Sequence, residues 1–192
     1  NPEADQHHGR RQHQGRADLR EGGIDGRGRR PAGAPLGAVA REEGAYDEAM
    51  EYLQDSLKNC EAAESRHQSA QTLIEDARLA IERGKIRAAR ESVGRAERIT
   101  INLDTAHDRA KVNMLNGKIA AASDSPDTAS AHWQQALKIF KQAGAPQDAL
   151  RTLQHLVDHE SEDRERWVKQ AAAIFEEAPD PVQRQYRGWL SD

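Results

Sequence analysis

From residue 34 onward the apolar residues recur at three- and four-residue intervals, the spacing of helices that each bury one face. Three stretches superimpose when each is shifted by 40 positions along the chain. The first reads Leu36-Gly37-x2-Ala40, Gly44, Tyr46, Ala49-x3-Leu53-x2-Ser56-Leu57. The second reads Asp76-Ala77-x2-Ala80, Gly84, Ile86, Ala89-x3-Val93-x2-Ala96, and the third Asn116-Gly117-x2-Ala120, Asp124, Pro126, Ala129-x3-Trp133-x2-Ala136-Leu137. Gly37, Ala77 and Gly117 coincide, as do Ala49, Ala89 and Ala129. Small residues in phase predict close helix crossings, because two helices approach tightly only where a side chain is absent or short. Larger residues in phase (Leu53, Val93, Trp133) are expected to fill the seams. Gly44 and Gly84 are placed to end a helix in the left-handed conformation. In the third unit Ser125-Pro126-Asp127 is expected to act as N-cap and first turn of the next helix.

A fourth, less regular unit follows. Ala136-x2-Ile139-Phe140 matches Ala171-x2-Ile174-Phe175 at a shift of 35 positions. Its first helix starts near Pro146 and carries Leu150, Leu153, Leu156 and Val157; its second carries Trp167, Val168, Ala171 and Ile174. Asp180-Pro181 restarts a short helix with Val182, Tyr186, Trp189 and Leu190. The predicted fold class is all-α: tandem antiparallel helical hairpins over residues 34–178, divided at about 34–64, 65–103, 104–144 and 145–178, with a capping helix over 179–192.

These residues resemble the tetratricopeptide repeat, in which Leu-Gly, Tyr and Ala-x3-Phe recur over a helix–turn–helix unit. The match is best at Leu36-Gly37-x2-Ala40 with Gly44, Tyr46, Ala49 and Leu53, and it covers residues 34 to about 178. The period is longer than the family's usual one of about 34 residues. The aromatic positions of the first helix hold smaller residues, and the closing Pro is mostly missing. This is similar to the long-helix variety found in regulatory proteins. The resemblance implies an α-solenoid of superhelical form whose first helices line a concave groove for a partner protein or peptide.

Residues 1–33 differ from the rest. They hold seven of the 14 glycines and seven Arg interleaved with three His, with no helix or strand period. Such a segment is expected to be disordered or to be a misassigned reading frame, since Arg, Gly, Ala, Pro and His are what GC-rich coding DNA yields out of frame. The first repeat then lacks its entry, and self-association through an incomplete N-terminal hairpin is expected.

Composition narrows the function classes. Hydrophobic residues are 36% and aromatics 4%, thin for one large core and suited to an elongated protein. Residues 1–40 carry seven Arg and five acids, net +2; the remainder carries 28 − 7 = 21 basic and 32 − 5 = 27 acidic residues, net −6. An acidic folded part argues against binding nucleic acid. No apolar run reaches a membrane span, and the single cysteine, Cys60, allows neither an internal disulfide nor a thiolate metal cage. A cytoplasmic protein fits these features.

No phosphate loop or dinucleotide fingerprint is present, so no cofactor is expected. His155-x3-His159 places two imidazoles on one helix face, but Leu156 stands where a metalloprotease carries Glu, and two solvent-facing histidines are expected. No catalytic or metal-binding residues are assigned, and the chain is read as a binder rather than an enzyme. Partner-binding candidates are the first-helix residues not used in the seams: Gln71, Arg78 and Glu82 in the second hairpin, Lys111, Met114 and Lys118 in the third. Arg78, Lys111 and Lys118 make a basic track suited to an acidic peptide. The Lys/Asn set of the family's C-terminal carboxylate clamp does not occur at these positions. The alternative is a regulatory or oligomerisation segment of a larger signalling ATPase or transcription regulator.

Overall fold

The structure, a computed structural model, describes residues 33–191 except 104 and 161. The expectations placed on residues 1–32 lie outside the described residues. Among the described residues the chain is all-helical: α1 Gly33–Glu42, α2 Tyr46–Ala62, α3 Arg66–Glu82, α4 Ile86–Thr100, α5 Ala106–Ala121, α6 Pro126–Gln142, α7 Pro146–His159, α8 Arg164–Glu177 and α9 Asp180–Ser191.

Six successive helices start at residues 46, 66, 86, 106, 126 and 146, so each begins the same number of positions after the last. The regular step comes from the turns. Residues 44, 64, 84, 124 and 144 have positive φ: Gly44 75°, Glu64 52°, Gly84 68°, Asp124 52° and Gly144 62°. Each turn closes with the same two backbone hydrogen bonds. Ala45 N–H donates to the Ala40 carbonyl at 2.8 Å and Gly44 N–H to the Arg41 carbonyl at 3.0 Å. Ser65 and Glu64 donate likewise to Cys60 and Glu61, Lys85 and Gly84 to Ala80 and Ile81, Ser125 and Asp124 to Ala120 and Ala121, and Ala145 and Gly144 to Phe140 and Lys141. This is the six-to-one and five-to-two pairing of a Schellman cap, which satisfies two carbonyls left open at the helix end. The acceptor residues Ala40, Cys60, Ala80, Ala120 and Phe140 are all buried, so Cys60 is a packing residue of a cap. Glu64 and Asp124 hold the left-handed conformation without being glycine, at a cost of about 1–2 kcal/mol each. Asp124 makes the reversal and Ser125 stands at the N-cap of α6 as expected, but its hydroxyl donates back to the Ser123 carbonyl at 3.3 Å and makes no side-chain cap bond. Pro126 does occupy the first helical turn, where its missing N–H costs nothing.

Consecutive helices pack on one another along the chain, most extensively α1 with α2, α3 with α4 and α5 with α6. The crossings fall at the small residues. A Cβ on Gly37 would stand 2.6 Å from Leu53 Cγ, and one on Gly117 2.3 Å from Trp133 Nε1. In the equivalent pair α3 and α4, the smaller Val93 stands where Leu53 and Trp133 stand in the others, and Ala77, Ala80, Ala89 and Val93 are all buried in one cluster. The sizes offset one another: glycine goes with Leu and Trp, alanine with Val. Trp133 also donates its indole N–H to the Met114 carbonyl at 3.2 Å, so the wide ring is held by its polar edge as well as its apolar face.

The odd-numbered helices also touch each other directly, α1 with α3 and α3 with α5. Thr152 of α7 reaches Met114 Sδ of α5 at 3.6 Å. Between α2 and α3, Ser56 and Thr72 share a buried hydroxyl pair at 2.9 Å. Leu150, Leu153, Leu156, Trp167, Ala171 and Tyr186 continue the core through α7, α8 and α9. Val168 of α8 is 40% exposed.

Two glycines in helices separate packing from propensity. Gly117→Ala is expected to lower stability by about 1–3 kcal/mol, because the indole beneath it must move. Gly94→Ala, whose Cβ meets only the Arg98 guanidinium at 3.9 Å, is expected to raise stability by about 0.5–1 kcal/mol. Urea unfolding of both variants checks the pair of signs; equal effects would contradict this description of the crossing.

Candidate functional site

The face shared by α1, α3, α5 and α7 carries two cavities. One, of about 200 Å³, is lined by Arg41 and Glu42 of α1, Arg78, Ile81 and Glu82 of α3, Met114, Leu115 and Lys118 of α5, and Arg151 of α7. The second, of about 180 Å³, is lined by Ala34, Pro35 and Ala38 of α1, Gln71, Ile74 and Glu75 of α3, and Asp108 and Lys111 of α5. Ion pairs bridge them: Glu75 of the second cavity pairs with Arg78 at 2.9 Å and Arg41 at 3.6 Å, both of the first. The six candidate residues are therefore divided between neighbouring cavities, Arg78, Glu82, Met114 and Lys118 in the first and Gln71 and Lys111 in the second.

Their states differ. Gln71 is exposed and lies 3.3 Å from His67 Nε2. Glu82 accepts from Arg41 at 2.6 Å. Lys111 sits 3.8 Å from Asp108 of its own helix. Met114 is 1% exposed, so it is a floor residue rather than an open contact point. Lys118 forms no ion pair among the described residues. Burial holds its ammonium below the usual lysine pKa, and the positive charges of Arg78, Arg151 and Arg41 push the same way against an opposing pull from Glu82.

Arg41 and Arg151 were not among the sequence candidates. Arg151 is the counterpart of Lys111 in the next repeat, so the register carried the signal for it. Arg41 aligns with Ile81, and nothing in the register marks it. The register does produce a ladder on this face. His67 pairs with Asp108 at 3.0 Å and His107 with Asp148 at 3.3 Å, tying α3 to α5 and α5 to α7. Each aspartate also faces a cation three residues on, Lys111 and Arg151 respectively.

Of the two histidines expected to face solvent, His159 does and His155 does not. His155 stacks on Trp133 with ring centroids 5.3 Å apart, and its Nε2 is buried without a hydrogen-bond partner. His159 is exposed and tilts over the same indole at 5.0 Å. Among the described residues no group of three or more His, Cys, Asp or Glu is arranged to hold a metal ion, and no helix is long and apolar enough to cross a membrane. No family model matches the chain, and no curated protein matches it.

Burial, with the nearby charges of Lys118, His159 and Arg151, pushes the His155 pKa down to about 3. Between that value and the ordinary histidine value of 6.5 the unfolded chain binds a proton that the folded chain excludes, so acidification through this window removes stability. His155→Phe keeps the stacking and removes the titration. Its stability is expected to fall less steeply with acid than that of the unaltered chain, by up to one proton in the slope. Chemical unfolding at intervals from pH 7 to pH 4 checks this; identical slopes would contradict it.

Proposed function

We propose that this chain is a protein–protein interaction scaffold of the tetratricopeptide type, a stack of helical hairpins whose α1, α3, α5 and α7 line the groove that receives a partner peptide or protein. One observation carries the reading. Residues from all four of these helices converge on one pair of linked cavities, while α2, α4 and α6 contribute none of the lining of either. Four cations against two acids in the larger cavity favour an acidic partner segment. The small residues at the helix crossings support the repeat assignment. So does the even spacing of the helix starts, since two helix-and-turn steps together make one period of the sequence. The groove acts by binding, and no catalytic residues are proposed. A cytoplasmic setting is part of the same proposal.

Reversing Lys111 and Lys118 together to Glu should weaken the native partner by roughly tenfold or more, the scale of one or two charge-assisted contacts. Reversing Lys138 on the outer helix α6 should leave affinity within about twofold, since an exposed charge outside the contact mainly alters long-range attraction. The partner is first identified by proximity labelling in the native cell, and its affinity for each purified variant is then measured. Unchanged affinity in the Lys111/Lys118 variant rules the groove out.

A further inference from the structure

Four arginine and lysine side chains meet at the larger cavity, and they are unequally satisfied. Arg41 is held by Glu82 at 2.6 Å, Glu42 at 3.3 Å and Glu75 at 3.6 Å. Arg78 gives one nitrogen to Glu75. Arg151 reaches Asp148 at 4.0 Å and also hydrogen-bonds the Tyr186 side chain. Lys118, between them and largely withdrawn from water, has no ion-pair partner among the described residues. The one acid that acts on it, Glu82, is already tied to Arg41, and three positive groups from three odd-numbered helices surround an open space of about 200 Å³. The lining residues sum to 4 − 2 = +2, from Arg41, Arg78, Lys118 and Arg151 against Glu42 and Glu82. Counting also Glu75, which pairs with two of the arginines, and Asp148, which faces the third, the local sum is 4 − 4 = 0.

We propose that this cavity is a binding site for a phosphate monoester, held by Lys118 with Arg78 and Arg151. The proposal rests on the reading of the α1, α3, α5 and α7 face as the partner groove, and it names the chemical group that anchors there. The donor set decides between anions. A carboxylate brings one negative charge, whereas a phosphate monoester brings about −1.5 to −2 at neutral pH and three acceptor oxygens. Three donors on three different helices match three oxygens, and the planar forks of Arg78 and Arg151 suit bidentate contacts around the point charge of Lys118. Glu82 and Glu42 are tied to Arg41 of α1 and repel an anion from that end, which directs it toward α5 and α7.

The probe is phenyl phosphate, titrated into the full chain with the Lys118 side-chain carbon and the Arg78 and Arg151 side-chain nitrogens followed by NMR; benzoate is the carboxylate comparison. Saturable shifts of all three residues, with benzoate at least roughly tenfold weaker, are expected from the extra charge-assisted contacts. Lys118→Met should abolish saturation, Arg151→Gln should weaken it severalfold, and Lys138→Met should leave it unchanged. Absence of saturation with phenyl phosphate, equal binding of benzoate, or undiminished binding in both Lys118→Met and Arg151→Gln would overturn the proposal. Should Lys118→Met fail to fold, Arg151→Gln alone decides it. A phosphoserine peptide binding more tightly than phenyl phosphate assigns the group to a protein segment, and equal binding assigns it to a small molecule; both support the shared chemistry. Phosphate binding with no partner loss in the Lys111/Lys118 reversal overturns the groove alone, and partner loss with no phosphate binding overturns this site alone.

Discussion

One long helix can be followed at once by another only if the chain turns back sharply and the open carbonyls at the helix end find donors. Here the same pair of hydrogen bonds does this at residues 44, 64, 84, 124 and 144. Each cap requires one left-handed residue, and each buries the residue four positions before it. Because these turns share one geometry, the helices re-enter at the same phase, and the small residues of one helix arrive beside the large residues of the next. Glycine against Leu53 and Trp133, and alanine with Val93, are the side-chain consequence of that phase. A change of turn length by one residue would rotate the following helix by about 100° and bring side chains where only hydrogen fits.

That arrangement also explains the placement of charge. The even-numbered helices use their apolar faces on both neighbours, while the odd-numbered helices touch one another along a second line. The repeat register then puts like positions side by side: His67 and His107, Asp108 and Asp148, Lys111 and Arg151, Arg78 and Lys118. The first two sets make cross-helix imidazole–carboxylate contacts. The last two set cations together, and Lys118 shares its acid, Glu82, with Arg41. Packing regularity thus gathers cations and acids in alternation on one face of the chain.

Much of this was legible in the residues, and for a physical reason. Small residues in phase report backbone approach directly, so Gly37, Ala77 and Gly117 marked the crossings without any structure. Gly44 and Gly84 likewise announced their turns. The even step from helix to helix was less visible, because two of its left-handed positions, Glu64 and Asp124, are not glycine and carry no conformational signature. At the site, Lys111 and Lys118 followed from the helix phase, and Arg151 was available from the register. Arg41 was not, since its role arises from the approach of α1 to α3 and no sequence neighbour records that. His155 was misread because a histidine beside other polar residues gives no sign that an indole from another helix covers it.

The proposed groove requires α3 and α5 to present one common face. The direct measurement is intramolecular cross-linking with a short bis-maleimide in a Cys60→Ala background. Arg78→Cys with Lys118→Cys should link rapidly and at high yield within one chain. Arg78→Cys with Lys138→Cys, which places the second thiol on the outer helix, should not. Failure of the first pair, or equal linking of both, would contradict the shared face and with it the groove built upon it.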